Sequence, residues 1–134
     1  MSVVLDTNIL ISALISPFGA QARVLNLVLA GEIGAVVDDR ILAEYREVLA
    51  RPKFEFDAGS VDDVLTYIEK HGVNVSAEPL AVDLPDRDDA AFLEVANAVH
   101  AVLITGNLRH YPADQRCGVV VRSPAEVLAA WPSS

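Results

Sequence analysis

The chain has 134 residues, 52 % of them apolar and 6 % aromatic, with a net charge of −9. That length predicts one domain, residues 1–134, with a real core, and no apolar run reaches the length of a bilayer span. The lone Cys117 excludes a disulfide framework or a cysteine zinc site. The acidic balance argues against a generic phosphate-tracking surface and suits a basic partner. Met1-Ser2-Val3 lacks the basic start of a signal peptide, so a soluble, cytoplasmic protein is expected.

The apolar run Val3-Val4-Leu5 predicts a buried parallel strand over residues 2–5, followed at once by Asp6-Thr7-Asn8. A short helix over 9–15 ends before Ser16-Pro17-Phe18-Gly19, and a second over 20–30 ends at Gly31. Residues 34–37 form the next apolar strand. Asp38-Asp39 then offers an N-cap to a helix over 40–50, which stops before Pro52. A helix over 61–71 closes at Gly72, in the position where a left-handed glycine is common, and Val73-Asn74-Val75 is a short β-like segment. A proline-bounded approach from Pro79 to Pro85 leads into Asp86-Arg87-Asp88-Asp89 and a helix over 88–100. Strands follow at 102–104 and 118–121. Ser123-Pro124-Ala125-Glu126 then combines an N-cap, a proline at the first helical position and a capping-box glutamate. Alternating strands and helices give an α/β domain with a mostly parallel sheet and right-handed crossovers.

The acids gather where such sheets bind ligands. Asp6 stands just past the C-terminal end of the first strand, the rim that open α/β sheets use. A strand-end aspartate also caps helices or satisfies loop amides, and alone it fits either role. In the 88–100 helix, Phe92, Leu93, Val95, Ala96 and Val99 form the inward stripe, and Glu94 is expected to project away from it. Asp89 lies three residues before Phe92 and belongs to the inward face; Asp88 points almost the same way, so spacing does not choose between them. One of Asp86 and Asp88 is expected simply to cap the helix. In the 40–50 helix, Ile41, Leu42, Tyr45, Val48 and Leu49 face inward and Glu44 sits at the edge of that face, which leaves it open between ligand and solvated residue. Asn107, after the strand at 102–104, shares the rim with Asp6, although a turn residue after Gly106 is the plainer reading. Several carboxylates converging on one crevice repel one another, and a divalent cation is the usual remedy.

These residues together resemble the PIN domain over essentially the whole chain. The resemblance is carried by Val3-Val4-Leu5-Asp6-Thr7-Asn8, by Glu44, by the run from Asp86 to Ala96, and by Val102-Leu103-Ile104-Thr105-Gly106-Asn107. Within that superfamily the chain looks most like the VapC-like toxins of bacterial and archaeal toxin–antitoxin systems. The likeness implies a three-layer α/β/α fold around a mostly parallel sheet of four to five strands, and a metal-dependent endoribonuclease. It places the family's metal-binding acids on Asp6, Glu44 and Asp89, with Mg²⁺ or Mn²⁺ as the cation. Thr7, Asn8, Asp86, Asp88, Thr105 and Asn107 become supporting residues. Asn107 stands where many PIN domains have a fourth acid; it offers a carbonyl oxygen but no charge. The resemblance further implies an RNA substrate, a cognate antitoxin and a homodimer of the kind common in the family, and no membrane partner.

Two other readings compete. In one, a PIN-like module with a degenerate site binds RNA or a protein, and Asn107 favours it. In the other, Asp6 is the covalent nucleophile of a phosphatase, but that site wants an aspartate at position 8, where Asn8 stands. His71, His100 and His110 have no zinc spacing. His110 and Arg109 lie at the rim, where an exposed loop pair is the plainer expectation. Arg46, Arg51 and Lys53 read as scattered solvated charges.

Overall fold

The first strand, β1 (Ser2–Leu5), is buried from its second residue onward and sits at the centre of the sheet. The computed structural model describes residues 1–131, so the end of the expected domain, residues 132–134, lies outside the described residues. Strands β2 (Gly34–Val37), β3 (Val73–Asn74), β4 (Val102–Ile104) and β5 (Val121–Arg122) complete a five-stranded sheet in the order β3-β2-β1-β4-β5. Every pairing is parallel; Val3 stands opposite Ala35 on one side and Val102 on the other. Fully apolar strands of this kind need cover on both faces, and helices on each side make the layers α/β/α.

The helices are α1 (Thr7–Ile15), α2 (Ala20–Leu29), α3 (Asp39–Leu49), α4 (Ala58–His71), α5 (Ala90–Val99) and α6 (Pro124–Ala130). α5 lies across β1, β2 and β4, while α2 packs against α1 and α6. The expected inward face of α3 is buried in full: Ile41, Leu42, Tyr45, Val48 and Leu49. The capping box of α6 is present, with Glu126 N–H donating to Ser123 Oγ and Ser123 N–H to Glu126 Oε1. Asp38 caps α3 by accepting from Ile41 N–H at 2.9 Å. Among the described residues, no single helix is long and apolar enough to cross a membrane.

Four local expectations are corrected. The last strand begins at Val121 rather than Gly118, because Cys117 and Gly118 both take left-handed backbone conformations and turn the chain first. The approach to α5 is a 3-10 turn over Arg87–Asp89, and α5 itself starts at Ala90. Val99, expected in the inward stripe, is 40 % exposed, since α5 ends there and His100 takes the left-handed conformation that closes it. Gly72 is not left-handed; its φ is −75°. Glycine is needed there for space, because a Cβ would collide with the Ile68 carbonyl oxygen and lie 2.9 Å from that of Ala35.

In this strand order the chain leaves β1 toward β2 on one side and returns to β4 on the other. The crevice between the C-terminal ends of β1 and β4 is therefore the topological switch point, where open α/β sheets bind ligands.

Candidate metal centre

Asp6 emerges from β1 into this crevice. It occupies the N-cap position of α1, yet its side chain makes no capping hydrogen bond. Its Oδ2 instead accepts from Thr105 Oγ1 at 2.9 Å, just past β4, and from Tyr111 Oη at 3.1 Å. Both partners are buried completely, and Asp6 is only 4 % exposed. Burial raises the Asp6 pKa, and the two hydroxyls and the Asn8 amide pull it back toward the charged form.

Asp89 reaches the same crevice from the 3-10 turn before α5 and is equally buried. Its Oδ2 has no hydrogen-bond donor among the described residues. His110 Nδ1 stands 3.1 Å away, close enough for an ion-pair contact but without the alignment of a directed hydrogen bond. Loss of water, followed by the negative charges of Asp6, Asp86, Glu44 and Asp88, raises the Asp89 pKa from 3.8 to about 8. Asp6, Asp89 and His110 each offer a ligand atom within 4.8 Å of the others.

Glu44 stands beside this trio rather than in it. It is half-buried, its Oε2 accepts from Thr7 Oγ1, and its pKa is raised first by burial and then by Asp6, Asp88 and Asp86. Beneath the acids lies Tyr45, fully buried, whose hydroxyl donates to the Leu5 carbonyl at 2.5 Å and so ties α3 to the end of β1. Asn8 Oδ1 accepts from Gly106 N–H at 3.0 Å, which holds the loop after β4 against the start of α1. A Cβ at 106 would lie 3.3 Å from Asn8 Oδ1, so glycine eases that approach.

The remaining expected residues hold the loops in place. Asp86 accepts from Asp88 N–H at 3.0 Å, and Asp88 is exposed. Asn107 turns its Oδ1 to Arg109 N–H at 3.2 Å, opening the 3-10 turn Leu108–His110.

Against this geometry the comparisons are decisive about kinship. A family model described as the PIN domain matches residues 2–109. The chain belongs to the PIN domain family. An uncharacterised protein of Methanocaldococcus jannaschii is 31 % identical over 110 residues, 80 % of this chain and 71 % of that protein. Among solved structures, a chain of VapBC2 from Rickettsia felis, crystallised with a DNA fragment from its promoter, matches with a TM-score of 0.61. It is 15 % identical and covers 92 % of this chain and 98 % of its own. A domain of a functionally unknown M. jannaschii protein matches with a TM-score of 0.56, also at 15 % identity, covering 91 % of this chain and 89 % of its own. At that identity both structures speak for a shared PIN fold.

Three features of this PIN domain escape a reading of its sequence. Tyr111 is buried and bonded to Asp6, but it follows an irregular 3-10 turn where no periodicity marks an inward position. The pair His110 and Arg109 divides, with His110 turned in to Asp89 and Arg109 exposed. Glu94, expected to project outward, is 7 % exposed. It accepts from Arg40 Nη1 at 2.7 Å and from Leu80 N–H at 3.0 Å. The extended segment before Asp86 covers that side of α5, which a single helix's pattern does not reveal.

Proposed function

We propose that this PIN domain is a metal-dependent endoribonuclease hydrolysing RNA phosphodiester bonds, and that it is the toxin of a toxin–antitoxin pair. The observation that carries the reading is Asp89 Oδ2, buried beside Asp6 with no donor of its own. A buried acceptor without a partner is costly, and one held among like charges more so. A small divalent cation fits this donor set: carboxylate oxygens from Asp6 and Asp89, with Glu44 alongside. Oxygen ligands suit Mg²⁺ or Mn²⁺, and participation of the His110 imidazole would favour Mn²⁺. When bound, the cation supplies the Lewis acidity and positive charge that phosphodiester hydrolysis needs at the reacting phosphate.

The chain's own residues prepare that site. Thr105 and Tyr111 fix one oxygen of Asp6. Thr7 orients Glu44, and Asn8 with Gly106 holds the two rim loops together, the kind of outer support on which metal sites depend. Asn8, standing where a phosphatase of that kind wants a second aspartate, counts against Asp6 as a covalent nucleophile. The likeness to a VapBC2 chain supports an antitoxin partner. A basic side chain from such a partner would meet the same unsatisfied oxygen that a cation meets. One observation favours a second reading: Asn107 spends its carbonyl on Arg109 N–H, as in a degenerate module that binds RNA without cutting it.

Purified protein is to be given a panel of structured and single-stranded RNAs with Mg²⁺, Mn²⁺ or EDTA, beside Asp6→Asn and Asp89→Asn. Cleavage that needs metal and falls by about 10²–10³-fold in each variant is expected, as for loss of several kcal/mol of charge stabilisation. Absence of cleavage by folded, partner-free protein would sink the nuclease reading in favour of the binding module.

A further inference from the structure

A cavity of about 280 Å³ opens beside the acid centre, running from Glu44 and Asp88 to Arg40 and Glu94. Its floor includes Ala90 and Ala91, small residues at the start of α5, and Arg87 stands at its rim. Past Arg87 and Ala90 the surface continues into a second hollow against Leu80, Val82 and Leu84. Such a volume lies at the small end of ligand clefts, ~300 Å³.

Arg40 is held in an unusual way for a half-exposed side chain. Its Nε donates to Asp38 Oδ2 at 2.8 Å, its Nη2 stands 2.7 Å from the same oxygen, and its Nη1 donates to Glu94 Oε1 at 2.7 Å. Both acids are buried: Asp38 also caps α3, and Glu94 also takes Leu80 N–H. A guanidinium carries five N–H donors in a rigid plane. Two of them, one on each terminal nitrogen, remain for the cavity that Arg40 lines, and the side chain is 51 % exposed there. A fork fixed from behind by two carboxylates loses little freedom when it grips a tetrahedral anion. Arg87, across the cavity, has no acidic partner within ion-pair distance among the described residues. In a chain of net charge −9, two arginines at the mouth of an acid crevice are placed where a polyanion must enter.

We propose that Arg40 and Arg87 form a phosphate clamp for single-stranded RNA, gripping a backbone phosphate next to the one at the acid centre, with Asp38 and Glu94 as positioning residues. The clamp rests on the nuclease reading for its role in turnover, and binding can be tested without it. Asp89→Asn serves as the background: it stops cleavage and removes one repelling charge. Fluorescence anisotropy of a labelled single-stranded oligoribonucleotide is then compared with and without Arg40→Gln/Glu94→Gln, and with and without Arg87→Gln. The first pair removes the arginine together with Glu94, one of the two acids it would strand, while Asp38 keeps its bond from Ile41 N–H. The fold is kept, because the amide oxygen that replaces the Glu94 carboxylate can still accept from Leu80 N–H. Arg87 is exposed, and its removal leaves the core untouched.

The expected result is a Kd raised about tenfold or more by each change. The slope of log Kd against log salt should become shallower by roughly 0.7 for each phosphate of a single strand that is no longer held. With Asp89 intact, the same changes should raise KM while leaving most of the loss out of kcat. Arg40→Lys should restore the salt slope but not the affinity, since an ammonium cannot span both acids and a phosphate. Unchanged Kd and salt slope in both variants, with only a lowered Tm for the Arg40 pair, would make the network a structural tie and overturn the clamp. So would the lack of measurable binding by the Asp89→Asn protein at low salt. If the wild type cuts no RNA while these binding changes are seen, the nuclease reading fails and the clamp stands.

Discussion

Asp89 and Glu94 belong to one short stretch of chain, are about equally buried, and live in opposite electrostatic worlds. Glu94 has a guanidinium and a backbone amide on its two oxygens. Asp89 has one oxygen without a directed donor, only His110 Nδ1 3.1 Å from it, three neighbouring acids and Asp6 beside it, and a pKa of about 8. Burial of a carboxylate therefore marks no site by itself. A buried carboxylate left unsatisfied, at the rim where β1 and β4 diverge, does.

The widest separation between the two should appear on substitution. Asp89→Asn is expected to lower metal-dependent cleavage by about 10²–10³-fold while raising the Tm of chelated protein at pH 8, because it removes a repelled charge and keeps the shape. Glu94→Ala should do the reverse to stability, costing about 1–2 kcal/mol by urea denaturation. The value is below that of a fully buried pair because Arg40, half-exposed, regains water. A destabilised Asp89→Asn would place Asp89 with the satisfied acids and undo the contrast.

Next in size is a pH effect. Asp89 titrates near 3.8 when unfolded and at about 8 when folded, so the folded state holds its proton more tightly. That contribution is complete below pH about 4, declines as pH rises, and is lost above about 8. Asp6 and Glu44, also raised, act in the same direction. The Tm of chelated protein should accordingly fall from pH 5 to pH 8. Mn²⁺ or Mg²⁺ should recover it, and more at pH 8 than at pH 5, where protons compete. In Asp89→Asn both the fall and the metal-induced rise should shrink. Differential scanning fluorimetry across that range checks this, and a metal response independent of pH would count against Asp89 as the group the cation relieves.

The difference between these two acids also explains what is legible in the sequence. The parallel sheet, its alternation with helices and the inward face of α3 follow from apolar runs and a 3.6-residue period, so the fold can be read nearly whole. Asp6 falls at a strand end and Asp89 at a helix start, but spacing leaves Asp88 open beside Asp89, and only the family resemblance chooses between them. Tyr111, His110 and the burial of Glu94 cannot be placed. They depend on how irregular segments, the turns after β4 and the extended run before Asp86, fold back over the rim, and no period encodes that. Glu94 in particular reads as outward because its helix alone has room for it there. Its cover comes from Leu80, fourteen positions away.

Asn107 gives the smallest effect and the finest test, because its class is open between the two acids. Its Oδ1 accepts from Arg109 N–H as Glu94 accepts from Leu80, so it behaves as a satisfied turn residue. Yet it leaves the strand end beside Thr105, the residue bonded to Asp6, on the same rim as the acids. An aspartate can make the same bond to Arg109, so Asn107→Asp should keep the fold and add one negative charge near the crevice. Chelated protein should then melt a degree or two lower at pH 8. Apparent Mn²⁺ affinity should rise roughly three- to tenfold, the scale of one unit charge acting through partly hydrated protein. Cleavage by the wild type with a modest gain in the variant would mean that two buried aspartates and Glu44 suffice. Cleavage by the variant alone would mean that the wild-type rim lacks one charge, and that this chain uses its crevice to bind rather than to cut.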